Sequence, residues 1–138
     1  MKNINFKILF FLGVALIPFK SFSISSFAWE GNWSFHHREK DSSGSVYRYD
    51  GKLYISKCDS NSCHYSIWQG DTNATCEKEG TFFKTALDLA QDSLSKDKQT
   101  CVILFKVKQK RIFVETQGEN CNEILGCRTG LGGESFSK

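Results

Sequence analysis

The sequence lacks the short signatures that announce most enzyme classes. There is no Gly-x-Ser-x-Gly turn for a nucleophilic serine, no His-Glu-x-x-His metal helix and no glycine-rich phosphate loop opening a helix. No two cysteines stand in Cys-x-x-Cys spacing and the three histidines do not fall at ligand intervals, which argues against a zinc site and leaves no metal or cofactor implied. A membrane span is also missing. The apolar run over residues 8–17 is followed by Pro18 and Lys20, whereas a bilayer core needs about 20 apolar residues in a helix. The first cysteine is Cys58, which argues against a lipid attached at an N-terminal processing point.

What the N-terminus does carry is a secretory layout. Lys2 and Lys7 precede the apolar run, a more polar stretch follows, and Ser26-Phe27-Ala28 fits the small-x-small cleavage rule. Cleavage after Ala28 would make Trp29 the first mature residue. Removing residues 1–28 from the 138 leaves 110, enough for one domain with one modest core. The formal charge of +3 disappears with them, because Lys2, Lys7 and Lys20 all lie in the removed part. A balanced mature chain gives no electrostatic case for nucleic-acid binding. The expected location is therefore the periplasm or the extracellular space.

All six cysteines fall in the mature part, and an even count in a small exported domain reads as a disulfide framework. Cys58 and Cys63 flank a four-residue polar loop, and Cys121 and Cys127 close a similarly short one. Cys76 and Cys101 then remain as the long-range pair.

Between the cysteines the chain alternates apolar and polar residues in short segments separated by turn chemistry, the pattern of antiparallel strands with one buried face. Leu53 and Ile55, Tyr65 and Ile67, Ile103 with Phe105 and Val107, and Ile112 with Val114 carry this alternation. Turns are expected at 41–45, at Asp50-Gly51, at 70–73, at 93–99 and at 109–110, with a break at Gly80. Residues 86–94 suit either a helix face or a strand, and all-β neighbours favour a strand ending near Gln91. The tail beyond Cys121 is too rich in glycine for a stable helix, and residues 135–137 fit a closing strand. About eight short strands around one core imply an all-β fold, a small antiparallel barrel that leaves no open edge.

Polar residues in this pattern are mostly unremarkable. His36 and His37 are adjacent on a strand and point to opposite faces, and Glu77 with Glu79 reads as the wet side of another. Lys106, Lys108, Lys110 and Arg111 make a basic hairpin, read as a solvated edge that discourages aggregation. Trp29, Trp33 and Trp68 are expected to plug the core.

Two resemblances bear on function. Gly31-x-Trp33 at the first strand is similar to the opening of lipocalins and avidins, which implies a tryptophan closing one barrel end and a small apolar ligand inside. Ser43-Gly44-Ser45-Val46-Tyr47 resembles the Ser-Gly-x-x-Tyr loop of small periplasmic lysozyme inhibitors, which are also short, exported barrels. That likeness implies that Ser43 enters an enzyme cleft, with Gly44 shaping the turn, Tyr47 in support, and hydroxyls free to meet the enzyme's carboxylates. The sequence thus points to an exported, non-catalytic binding protein whose partner is a secreted hydrolase such as lysozyme, with a small-ligand carrier as the alternative.

Overall fold

A computed structural model describes residues 27–138; the secretory segment expected over residues 1–28 lies outside it except for Phe27 and Ala28. Eight strands run in sequence order: β1 (Gly31–Lys40), β2 (Val46–Ser56), β3 (Ser62–Gly70), β4 (Thr75–Ala86), β5 (Leu89–Lys96), β6 (Gln99–Lys108), β7 (Arg111–Gln117) and β8 (Glu134–Phe136). Each pairs antiparallel with the next in one sheet. Backbone hydrogen bonds between Ser34 and Ser137, 2.8 and 2.9 Å, bring the last strand back to β1 and nearly close the barrel.

Strand alternation sorts the side chains. Phe35, Leu53, Ile55, Tyr65, Ile67, Phe82, Ile103, Phe105, Ile112, Val114 and Phe136 point inward and are buried. At the end where β1 begins, Trp29 lies over Phe82 with ring centroids 5.2 Å apart, and the Trp33 indole N–H donates to the Trp29 carbonyl at 3.0 Å. These two tryptophans plug the barrel as expected. Trp68 does not, because it sits at an outward position of β3 between Lys52 and Glu77.

The opposite end is closed by the segment between β7 and β8, which holds a short helix α1 (Cys121–Leu125). The glycine-rich tail does form this helix, contrary to expectation. Its glycines follow the helix instead of interrupting it, and Gly126 at φ 70° ends it in the left-handed conformation that glycine adopts without strain. Beyond the helix Leu131 is buried, and the fully buried Gln69 amide donates to Tyr49 Oη at 2.7 Å and to the Gly132 carbonyl at 3.1 Å, while its Oε1 accepts from Gly132 N–H at 3.2 Å.

The disulfides are Cys58–Cys63, Cys76–Cys127 and Cys101–Cys121. The first is as expected; the other two exchange partners relative to the sequence reading. Short-loop closure between Cys121 and Cys127 is prevented because α1 occupies that interval, and each end of the segment is tied instead to the strand it covers, β6 or β4.

The turn expected at Asp50-Gly51 and the strand break expected at Gly80 are both absent, for one reason. Asp50-Gly51 lies inside β2, opposite Phe35, and a Cβ on Gly51 would stand 2.0 Å from the Phe35 ring. Gly80 lies inside β4, opposite Tyr65, where a Cβ would meet the Tyr65 hydroxyl at 3.0 Å and Asp92 Oδ2 at 2.5 Å. Each glycine is the space into which a neighbouring aromatic leans. Residues 86–94 are strand from Leu89, but β5 runs on to Lys96 and the turn is confined to Asp97 and Lys98, both at positive φ.

Candidate functional site

β1 and β2 are longer than the barrel needs. β3 pairs with β2 only from Asp50 onward and β8 reaches β1 only at Ser34, so residues 36–49 form a two-stranded arm beyond the barrel rim. Val46 and Tyr47 on it are more than half exposed. The Ser43-Gly44-Ser45 loop is the tip of this arm.

The tip is ordered by a single carboxylate. Asp41 Oδ1 accepts from the Ser43 N–H at 2.8 Å, the Ser45 N–H at 2.9 Å and the Ser43 hydroxyl at 2.6 Å. Gly44, at φ 89°, takes the left-handed turn and donates its N–H to the Asp41 carbonyl. The Ser43 hydroxyl bond, then the amide bonds and the Tyr47 phenol, hold the Asp41 carboxyl below its ordinary value of 3.8. The tip is therefore anionic at neutral pH.

That geometry corrects one implication of the resemblance. A serine hydroxyl has one proton, and the Ser43 proton goes to Asp41; the 3.0 Å contact between Ser43 and Ser45 hydroxyls then has Ser45 as donor. Neither hydroxyl is free to meet a carboxylate. Gly44 shapes the turn, and Tyr47 lies exposed on the strand that follows it.

Farther down the arm, His36 Nδ1 meets Asp50 Oδ1 at 2.8 Å on one face and His37 Nε2 meets Glu39 Oε1 at 3.0 Å on the other. Arg38 and Arg48 stand directly opposite one another across the β1–β2 ladder. Sequence reasoning passed over both, because nothing in a linear reading places residue 38 beside residue 48; the signal was the symmetric spacing of the two arginines about the turn.

The remaining candidates are dispersed. Glu77 and Glu79 are exposed on the outside of β4 beside Trp68, far from the arm tip in register. The basic hairpin lies at the other end of the barrel, where Lys106 Nζ pairs with Glu115 at 2.7 Å and Arg111 donates to Ser135. Among the described residues no three His, Cys, Asp or Glu side chains converge as a metal site, and no helix is long and apolar enough to cross a membrane.

Two surface depressions among the described residues border these elements, both open to solvent. One of about 490 Å³ lies between Phe27, Trp29 and the β4–β5 turn, and one of about 430 Å³ lies between the arm and the β3–β4 turn. With the geometry in place, comparison with known proteins adds no relative. No family model, curated protein or solved structure matches the chain.

Proposed function

We propose that this is an exported, non-catalytic binding protein that works by inserting the 36–49 arm into the cleft of a secreted hydrolase of the lysozyme type. The observation that carries the reading is the pairing of a filled barrel with an ordered, projecting tip. Seven inward aromatic rings occupy the interior from Trp29 to Phe136, which favours recognition on the outside. The arm extends past every neighbouring strand, and its turn is fixed before any partner arrives, which lowers the ordering cost of binding. Three disulfides are consistent with an oxidising, exported setting. The small-ligand alternative draws no support from an interior filled by side chains.

The test is lysozyme turnover with purified mature protein across C-type, goose-type and invertebrate-type enzymes. Inhibition is expected at micromolar concentration, and Ser43→Arg is expected to abolish it without moving the thermal midpoint, since an exposed loop residue changes stability by no more than about 0.5 kcal/mol. Absence of inhibition of all three classes would sink the hydrolase reading.

A further inference from the structure

Two asparagines of the barrel carry the Asn-x-Ser/Thr spacing at which exported proteins accept a glycan: Asn32-Trp33-Ser34 and Asn73-Ala74-Thr75. Each also has an acid two residues earlier, Glu30 and Asp71, so the sequence does not choose between them. The fold does. Asn32 lies inside β1, opposite Tyr54. The next residue, Trp33, is 3% exposed and plugs the barrel end, and the backbone of Ser34 is bonded to Ser137 at 2.8 and 2.9 Å. That stretch cannot leave its strand unless the plug is withdrawn. A third asparagine, Asn61, has Cys63 in the place of the hydroxyl residue, and that sulfur is held in the bridge to Cys58.

Asn73 is placed differently. It is exposed in the β3–β4 turn, where Asp71 Oδ1 fixes the backbone by accepting from the Asn73 and Ala74 amides at 2.7 and 2.8 Å. The Asn73 side-chain amide makes no hydrogen bond among the described residues, and neither does the hydroxyl of Thr75, which is also exposed. Both groups that a transferase reads are therefore free. The rung joining Gly70 to Thr75 is the last of the β3–β4 ladder, so the turn can enter an enzyme with the barrel intact. We infer that Asn73 is an acceptor for N-linked glycosylation, modified on the folded, exported protein. The donor is an oligosaccharide carried on a lipid pyrophosphate. The Asn73 amide nitrogen bonds to the anomeric carbon of that sugar and gives up one proton. The bond from the anomeric carbon to the pyrophosphate oxygen breaks, and the lipid pyrophosphate leaves with the electron pair. Because Asn73 lines the depression shared with Val46 and Tyr47, the attached sugar stands beside the arm. The inference needs export but no particular partner, so it is independent of the hydrolase reading.

The experiment takes the folded, disulfide-bonded protein recovered after export of the full chain from a host that has no such transferase. It is mixed with a purified single-subunit oligosaccharyltransferase and its lipid-pyrophosphate-linked oligosaccharide, and intact and peptide masses are read. One added glycan is expected, on the peptide that holds Asn73. Asn73→Gln and Thr75→Ala are each expected to abolish it, Thr75→Ser to keep it, and Asn32→Gln to change nothing. Thermal midpoints equal to that of the wild type show that a loss comes from the acceptor and not from unfolding. Folded protein that stays at its sequence mass, a glycan on Asn32 of the folded protein, or an unchanged mass gain in Asn73→Gln would overturn the inference. The outcomes separate it from the hydrolase reading. A glycan on Asn73 with no lysozyme inhibited leaves the inference standing and the hydrolase reading fallen. Inhibition by a protein that accepts no glycan does the reverse.

Discussion

Single residues in this protein are set mainly by what stands across the ladder from them. Gly51 is there for the Phe35 ring, and Gly51→Ala is expected to cost about 1–3 kcal/mol through overpacking, read as a lower urea midpoint with unchanged slope. Tyr65 behaves similarly: its hydroxyl donates to Asp92 Oδ2 at 2.7 Å in the space Gly80 leaves. Burial first, and then that hydrogen bond, push the Tyr65 phenol well above its ordinary value of 10. The unfolded chain releases this proton near pH 10 while the folded chain keeps it, so the native state binds more protons above that pH. Stability is accordingly expected to be fully present below pH 10 and to fall as the pH rises beyond it. Urea midpoints measured between pH 9 and 11 check this, and Tyr65→Phe should flatten most of the decline. Burial also raises the phenol of Tyr49, which leaves a smaller residual slope.

Among the elements, the segment joining β7 to β8 has the most consequence for stability. It covers one barrel end, and its two disulfides fasten it to β4 and β6. In the loop-closure picture, the 51-residue separation of Cys76 and Cys127 corresponds to about 4 kcal/mol and the 20-residue separation of Cys101 and Cys121 to about 3 kcal/mol. One closure is nested in the other, so the two do not add. Replacing Cys76 and Cys127 together by alanine is expected to cost about 2–5 kcal/mol, the usual range for small secreted domains. The same exchange at Cys58 and Cys63, only 5 residues apart, should cost less. Chemical denaturation of the two double variants orders them, and equal midpoints would show that the barrel-end segment is not the principal staple. The arm is the opposite kind of element: apart from Tyr49 at its base, which packs on Phe35 and accepts from Gln69, its side chains are exposed and its turn is closed by its own hydrogen bonds.

For the molecule as a whole, eight strands, their antiparallel order and most inward residues are legible from alternation alone, because a half-buried strand writes its two faces into the sequence at every second residue. Trp33 at one barrel end and the Cys58–Cys63 bridge follow from local spacing in the same way. Where a residue's role depends on a neighbour distant in sequence, local reading gives out. Gly51 and Gly80 look like turn residues until Phe35 and Tyr65 are brought opposite them, and Cys121 looks like the partner of Cys127 until α1 is placed between them. The tip at 41–45 is legible as a turn, but the destination of the Ser43 proton is decided by Asp41 in three dimensions. Arg38 and Arg48 became a pair only through register, since ladder pairing joins residues by position across the strand and not along the chain. The sequence by itself therefore determined the strands, their inward faces and the disulfide count, all properties of local periodicity and composition. Tertiary structure alone decided the disulfide partners, the closure of the far barrel end and the chemistry of the arm, because each depends on contacts between residues that only folding brings together.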